Sequence, residues 1–342
     1  MAGGGGNRAS TEPGAAGLGP AGGDMGLLEI RGLRKYFPVR KGLLGGHETL
    51  KAVDGVDFAL GKDRVFSLVG ESGCGKSTVA RLVLRLAEPD GGQVLWKGKD
   101  VFSLRGDGLK AFRRSVQIIF QDPFASLNPR RNVFDTLAEP MKIHGLARGP
   151  ELRERVAELL RKVGLPDVQG RYPHEFSGGQ RQRICIARAL AVSPEVIVAD
   201  EPLSALDVSI QAQILNLLQD LRKESGLSYV FISHDLRVVQ YLSDEVAVMY
   251  LGRIVERAPA EDLFGEPRHP YTEILLASAP GLEPGGGRRA VLKGEVPSPI
   301  DVPPGCPFHP RCPKRFAPCD SVVPLLLSAS GRPVACHLWN PH

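Results

Sequence analysis

The order of apolar and polar residues divides most of the chain into short strands and amphipathic helices. Residues 28–37 and 49–60 are rich in Ile, Val, Phe and Tyr and read as strands, joined through a loop containing Gly and Lys around 41–47. The run Arg-Val-Phe-Ser-Leu-Val at 64–69 reads as a buried strand that enters a Gly-rich turn and then a helix over 76–86. A further short strand is expected at 116–120. The stretch 131–164 is helical in pattern, and 151–163 sets Leu152, Val156, Leu159 and Leu160 on one face. A helix over 177–192 precedes a strand at 195–199. A helix over 208–224, a strand at 228–232, a short helix from Asp235 and a strand at 245–249 follow. Strands alternating with helices predict an α/β fold with a mostly parallel sheet covered on both faces. After Ala258 the chain turns Pro-rich and irregular, and a domain boundary is expected there. No internal repeat is present, so the pattern describes one copy of the fold.

Composition narrows this picture modestly. The 342 residues are 42% hydrophobic and 24% charged, with a formal net charge of +5. That is ordinary for a globular protein, and the basic excess is too small to argue for nucleic acid. No apolar run approaches the ~18–20 residues of a membrane helix. Residues 1–26, rich in Gly, Ala and Pro, have no secretory pattern and read as a disordered tail. The expectation is a chain that stays in the cytosol and reaches any membrane by docking.

Three short motifs carry chemistry. Gly70-Glu-Ser72-Gly73-Cys74-Gly75-Lys76-Ser77-Thr78 fits the phosphate-binding pattern G-x-x-x-x-G-K-[ST], placed after a buried strand and before a helix. Its backbone N–H groups wrap phosphates, Lys76 reaches the β- and γ-phosphates, and Ser77 ligates Mg²⁺. The strand at 196–199 ends in Asp200 and Glu201, placing two acids at the carboxyl edge of the sheet. There Asp200 serves the Mg²⁺ shell and Glu201 polarises the attacking water. Phe176-Ser177-Gly178-Gly179-Gln180 opens a helix and makes a second phosphate cradle.

With these motifs in hand, the sequence resembles the ABC ATPase family. Phe176–Gln180 is similar to the family's LSGGQ signature, with Phe replacing Leu. The resemblance implies a P-loop NTPase cassette with a RecA-like core, an antiparallel β subdomain and a helical subdomain at roughly 122–192. It also implies a head-to-tail dimer, in which Ser177, Gly178, Gly179 and Gln180 face the ATP of the other subunit. Gln121 resembles the glutamine that contacts Mg²⁺ and water, His234 the switch histidine, and Ser204-Ala205-Leu206-Asp207 the loop crossing the dimer interface. Phe37 resembles the aromatic that stacks on adenine, with Tyr36 as its alternative. The segments Gln121-Asp-Pro-Phe-Ala-Ser-Leu-Asn-Pro129, Tyr172-Pro-His-Glu-Phe-Ser177, Leu206-Asp-Val-Ser-Ile-Gln-Ala-Gln213 and Gly305-Cys-Pro-Phe-His-Pro-Arg-Cys-Pro313 narrow the resemblance to ATP-binding subunits of dipeptide/oligopeptide importers, a subfamily that includes nickel importers.

That resemblance implies cassette 27–258, a C-terminal extension 259–342 and a place on the cytoplasmic face of a bacterial inner membrane. The partners it implies are a second, homologous ATPase subunit, two integral permease subunits and a solute-binding protein, with no nucleic acid. Permease docking is expected over 123–141, where Phe124, Leu127, Val133 and Phe134 look exposed beside Arg130 and Arg131. A soluble ABC ATPase outside transport and an iron–sulfur redox sensor are the alternatives.

Four of the six cysteines, Cys306, Cys312, Cys319 and Cys336, crowd the C-terminal end at spacings C-x5-C, C-x6-C and C-x16-C. In a reducing cytosol such thiols point to metal more than disulfide. The family resemblance implies a [4Fe–4S] cluster. Zinc, with His309 or His337 substituting, is the second choice. The cysteines begin about a hundred residues after Glu201, so their expected role is structural and apart from hydrolysis.

Overall fold

The computed structural model describes residues 26–40, 46–279, 294–329 and 331–340. The tail expected at 1–26 therefore lies outside the described residues except for Gly26, as does most of the loop at 41–47.

Two sheets form the body. Long antiparallel strands β1 (Leu28–Arg40) and β2 (His47–Leu60) pair along their length, as Leu28 opposite Leu60 and Arg40 opposite His47. Then come β3 (Val65–Val69), α1 (Lys76–Val83), β4 (Gly91–Trp96), β5 (Lys99–Asp100), α2 (Gly106–Ser115) and β6 (Val116–Ile119). The helical region holds α3 (Pro123–Ser126), α4 (Val133–Ile143), α5 (Gly149–Lys162) and α6 (Gly178–Leu190). The chain continues through β7 (Val196–Asp200), α7 (Val208–Ser225), β8 (Ser228–Ser233), α8 (Leu236–Leu242), β9 (Glu245–Tyr250) and β10 (Arg253–Pro259). It ends with α9 (Ala260–Gly265), α10 (Pro270–Ser278), β11 (Leu327–Ala329) and β12 (Arg332–Val334). The smaller sheet runs β2-β1-β4-β5 and the larger runs β11-β12-β10-β9-β3-β8-β7-β6.

The larger sheet is parallel from β6 to β9, with Ile118 opposite Val198 and Phe66 opposite Val230. Every residue of β3 and β8 is buried, because both faces of these central strands are covered. Their sequences accordingly run apolar without alternation. Between the sheets, Phe58 of β2 stacks on Phe66 of β3 at 4.2 Å and 3°. On the other face, α4, α5, α6 and α7 bury Leu137, Leu160, Ile184 and Leu218 in one continuous core.

The expected helix at 76–86 ends early, at Val83. Arg85 adopts positive φ and donates to the carbonyls of Val101 and Leu104, which turns the chain into the smaller sheet. The expectation of exposed apolar residues over 123–141 is corrected in part. Leu127 and Val133 are buried, and Phe134 is half-buried in the same core. Phe124 alone of the four is well exposed, at 62%. The division expected at Ala258 falls inside β10. Beyond it, β12 pairs with β10, and Tyr271, Leu276, Cys306, Phe308 and Cys319 enter the core shared with α6 and α7. No helix of the described residues is long and apolar enough to cross a membrane.

Candidate functional site

The loop from Gly70 to Gly75 links the buried end of β3 to the first turn of α1. Gly70 and Gly75 have φ of 153° and 110°. A Cβ on Gly70 would lie 2.2 Å from the Met249 carbonyl oxygen, and one on Gly75 would lie 2.0 Å from that of Ala52. The loop is thus wedged between β9 and β2 so tightly that only glycine fits at its two ends. Lys76 is buried, and its Nζ donates to the carbonyls of Gly70 at 2.8 Å and Glu71 at 3.0 Å. Its charge is held by the loop's own backbone, within the cradle where phosphates would lie.

At the ends of neighbouring strands, four more sequence-predicted residues converge. Ser77 Oγ donates to Asp200 Oδ1 at 3.0 Å. Burial pushes the Asp200 carboxyl up from its ordinary range, the Ser77 bond opposes that, and the Glu201 charge adds to it. A divalent cation placed there reverses this balance. The donor set of Ser77, Asp200 and Gln121 therefore fits Mg²⁺ in chemistry. Gln121 Nε2 donates to Glu201 Oε2 at 3.3 Å, and His234 Nδ1 lies 3.1 Å from the same oxygen. Glu201 has φ of 47°, a left-handed backbone outside glycine, costing about 1–3 kcal/mol. Its N–H bonds the Ile232 carbonyl at 2.9 Å, so β8 holds the strained residue in place. Its carboxylate lies between Gln121 and His234.

The second cradle is built differently. Ser177 caps α6, and a reciprocal pair joins its backbone and hydroxyl to Gln180, at 3.0 and 3.4 Å. Ser177 and Gly178 are exposed, whereas Gly179 is buried against Ile210. Among the described residues, no hydrogen bond joins Ser177–Gln180 to the P-loop. Ser204 bonds the Glu201 carbonyl through both N–H and hydroxyl. Asp207 caps α7, accepting from Ile210 N–H at 3.1 Å. Leu206 and Ile210 therefore connect the segment after Glu201 to the exposed cradle.

Phe37 is exposed, with Lys35 Nζ at 5.5 Å from its ring centre. The Tyr36 hydroxyl instead donates to Asp54 at 2.6 Å, which ties that ring to β2. Phe124 covers Arg181, whose guanidinium carbon sits 3.4 Å from the ring centre.

Cys306, Cys312, Cys319 and Cys336 line one pocket together with His269, His309 and His337. Burial pushes the Cys306 and Cys336 thiols up to about 12 and about 11, and the neighbouring thiols add to the shift. The His309 and His337 ring nitrogens donate to the Cys306 and Val322 carbonyls. Among the described residues, no group of three or more His, Cys, Asp or Glu is assembled to hold a metal ion. The donor set has the right kind and number for a cluster, and closing it onto one requires the thiolate form.

One feature escaped the sequence reading. Arg311 reaches from the cysteine segment to the P-loop and pairs with both carboxylate oxygens of Glu71, at 2.7 and 3.0 Å. The Glu71 N–H donates to the Tyr271 hydroxyl at 3.0 Å. These contacts join the C-terminal segment to the P-loop. The sequence signal was a carboxylate inside a phosphate-binding loop, which needs a cation nearby.

Comparison with known proteins agrees with this geometry. Residues 53–204 match the ABC transporter family, and residues 255–319 match the oligopeptide/dipeptide transporter C-terminal region. The chain is 51% identical over 321 residues to the oligopeptide transport ATP-binding protein AppF of Bacillus subtilis, covering 92% of this chain and 98% of that protein. It is 49% identical over 312 residues to the dipeptide transport ATP-binding protein DppF of Escherichia coli, covering 91% and 93%. Among solved structures, it is similar to the dimeric ATP-binding cassette MJ0796 bound to ADP and Pi, with 28% identity and TM-score 0.61 over 68% of this chain and 98% of that one. It is also similar to cbiO1 of Clostridium perfringens, part of the ABC transporter complex cbiONQ, with 27% identity and TM-score 0.60 over 70% and 91%. A P-loop, a capped glycine cradle and a strand-end acid pair in this order, matched along almost the whole chain, place it in the ABC transporter family, among the ATP-binding proteins of oligopeptide and dipeptide transport.

Proposed function

We propose that this chain is the ATP-hydrolysing subunit of an importer that takes up dipeptides or oligopeptides. It works on the cytoplasmic face of a bacterial inner membrane with two permease subunits and a solute-binding protein. The observation that carries the reading is the convergence of Gln121 and His234 on one carboxylate oxygen of Glu201, beside the Ser77–Asp200 pair. The similarity to named peptide transport ATP-binding proteins supplies the solute class.

In this reading Gly70, Ser72, Gly73, Cys74 and Gly75 cradle the phosphates with the amides of Lys76, Ser77 and Thr78. Lys76 leaves the loop carbonyls for the phosphates. Ser77, Asp200 and Gln121 would hold Mg²⁺, which would neutralise phosphate charge when bound. Glu201 accepts a hydrogen bond from the attacking water and orients it, Gln121 positions that carboxylate, and His234 supplies a donor toward the γ-phosphate. Phe37 stacks on adenine. Ser177, Gly178, Gly179 and Gln180 close over the ATP of a second, homologous cassette, and Ser204–Asp207 cross between the two. Ser72 and Gly73 of the first cradle and Ser177 and Gly178 of the second are exposed, which supports that arrangement, since each cradle alone leaves one side of a nucleotide to water. Residues 27–258 carry this chemistry and 259–342 form the extension. Phe124 and its surroundings receive a permease helix. The four cysteines hold a [4Fe–4S] cluster, on the strength of four thiols lining one pocket.

Co-expression with candidate permeases tests the reading. The expected result is a purified complex whose ATPase activity rises with peptide-loaded binding protein, together with ATP-dependent peptide uptake into vesicles. A cassette that hydrolyses ATP yet associates with no integral membrane protein overturns it.

A further inference from the structure

The P-loop of this chain is held from outside the cassette's nucleotide motifs. Glu71, its second residue, is gripped at two points by residues far along the chain. Arg311 Nη1 donates to Oε2 at 2.7 Å and Nη2 to Oε1 at 3.0 Å, a parallel two-pronged pair. The Arg311 side chain is only 4% exposed and that of Glu71 23%. Tyr271 accepts the Glu71 N–H. Behind them, Tyr250, Tyr271 and Phe308 pack ring against ring, with centres 4.7 to 5.4 Å apart. Phe308 and Arg311 belong to the segment between Cys306 and Cys312, so the cysteine pocket and the P-loop share a wall.

A triphosphate brings several negative charges to this loop, and Glu71 is an acid inside it. Unpaired, its carboxylate repels the incoming phosphates and competes for Lys76. Paired with Arg311, it becomes a neutral, fixed strut. We propose that Arg311 is a positioning residue of the nucleotide site, which neutralises and anchors Glu71 and so makes ATP affinity depend on the folded C-terminal cysteine segment. The coupling runs both ways, because a tail that favours ATP binding is favoured by it to the same extent. The inference rests on Gly70–Thr78 being the ATP site, and Lys76→Ala serves as the control for that assignment.

The test is equilibrium binding of a fluorescent ATP analogue with Mg²⁺ to the full chain, in which turnover plays no part. Arg311→Ala is expected to weaken binding about tenfold, a fraction of the penalty incurred when one partner of a desolvated charge pair is removed, because the nucleotide feels the unpaired Glu71 only indirectly. Arg311→Lys, which keeps the charge and loses the fork, falls between, and carries the test should Arg311→Ala not fold. In a Glu71→Gln background the same Arg311→Ala change alters affinity by less than about threefold, because no charge remains to neutralise. In parallel, ATP slows protease cleavage within residues 294–340 of the wild type, and that protection shrinks in Arg311→Ala. Unchanged affinity in Arg311→Ala, or an equal loss with and without the Glu71 carboxylate, overturns the inference. Normal nucleotide binding by Lys76→Ala overturns the site assignment instead.

Discussion

Two adjacent glycines at the start of α6 make opposite predictions. A Cβ on Gly178 meets only Leu206 Cδ2, at 3.6 Å, an ordinary contact, and the residue is exposed. A Cβ on Gly179 meets Ile210 Cγ2 at 2.5 Å, about 1 Å inside contact distance, at the junction of α6 and α7. Gly179→Ala is therefore an overpacking change, expected to cost about 1–3 kcal/mol of stability. Gly178→Asp leaves the fold intact, and a carboxylate in the first helical turn is mildly favourable there. Its effect appears only when a second cassette brings a γ-phosphate to the cradle. At ~4 Å and an effective dielectric near 20, one added charge costs about 4 kcal/mol, or a roughly thousandfold loss of closure. The assay has three readings on each variant, the last taken with the partner cassette present. They are thermal midpoint, ATP-analogue affinity of the isolated subunit, and ATP-driven association in a Glu201→Gln background. Gly178→Asp is expected to keep the first two and lose the third, with ATPase activity falling alongside. Wild-type hydrolysis by Gly178→Asp refutes the shared site. Loss of ATP affinity in the isolated Gly178→Asp subunit refutes it as well, because it places the cradle on the subunit's own nucleotide.

Glu201→Gln is expected to keep ATP affinity while lowering turnover by about 10²–10⁴, measured by phosphate release; wild-type turnover removes the carboxylate from the mechanism. Phe37→Ala is expected to weaken binding of ATP several-fold, while Tyr36→Phe changes nucleotide affinity little because its hydroxyl faces Asp54; the reverse order in a titration reassigns the adenine platform. Phe124→Asp is expected to prevent co-purification with the permease yet leave the free subunit's ATPase rate unchanged. Protein purified without oxygen is expected to be brown with a visible band that bleaches in air, and Cys312→Ser to lose that colour; stoichiometric zinc without iron places zinc in the pocket.

What the sequence makes legible follows from how far apart the interacting residues lie. The P-loop is read from nine consecutive residues, because β3, turn and α1 form one local unit whose glycines and lysine act together. Asp200 and Glu201 are legible once the strand before them is, since a parallel sheet puts strand ends on one edge. β4 and α2 are harder to see. Gly91 and Gly92 open β4 with no side chain to mark alternation, and α2 buries only Phe112 and Ser115 over its length. Leu127 and Val133 look like surface residues among Asn, Pro and Arg, yet the neighbouring helices cover both. That covering is tertiary and has no local period. The Arg311–Glu71 pair spans 240 positions, and neither local motif names the other residue as its partner.

The same pair changes what the cysteine segment is for. On spacing alone, four thiols far beyond the last catalytic motif suggest a self-contained crosslink that orders a Pro-rich tail. In the folded chain, β12 extends the sheet that carries the P-loop, Tyr271 takes the loop's second N–H, and Arg311 its carboxylate. Lys76 at present bonds to the carbonyls of Gly70 and Glu71, and it must release both to engage phosphate. A loop held only by its own lysine would lose that support at the moment the nucleotide arrives. With Glu71 fixed from behind by Tyr271 and Arg311, the cradle keeps its shape as the lysine leaves. The tail therefore acts on ATP through geometry already present before binding.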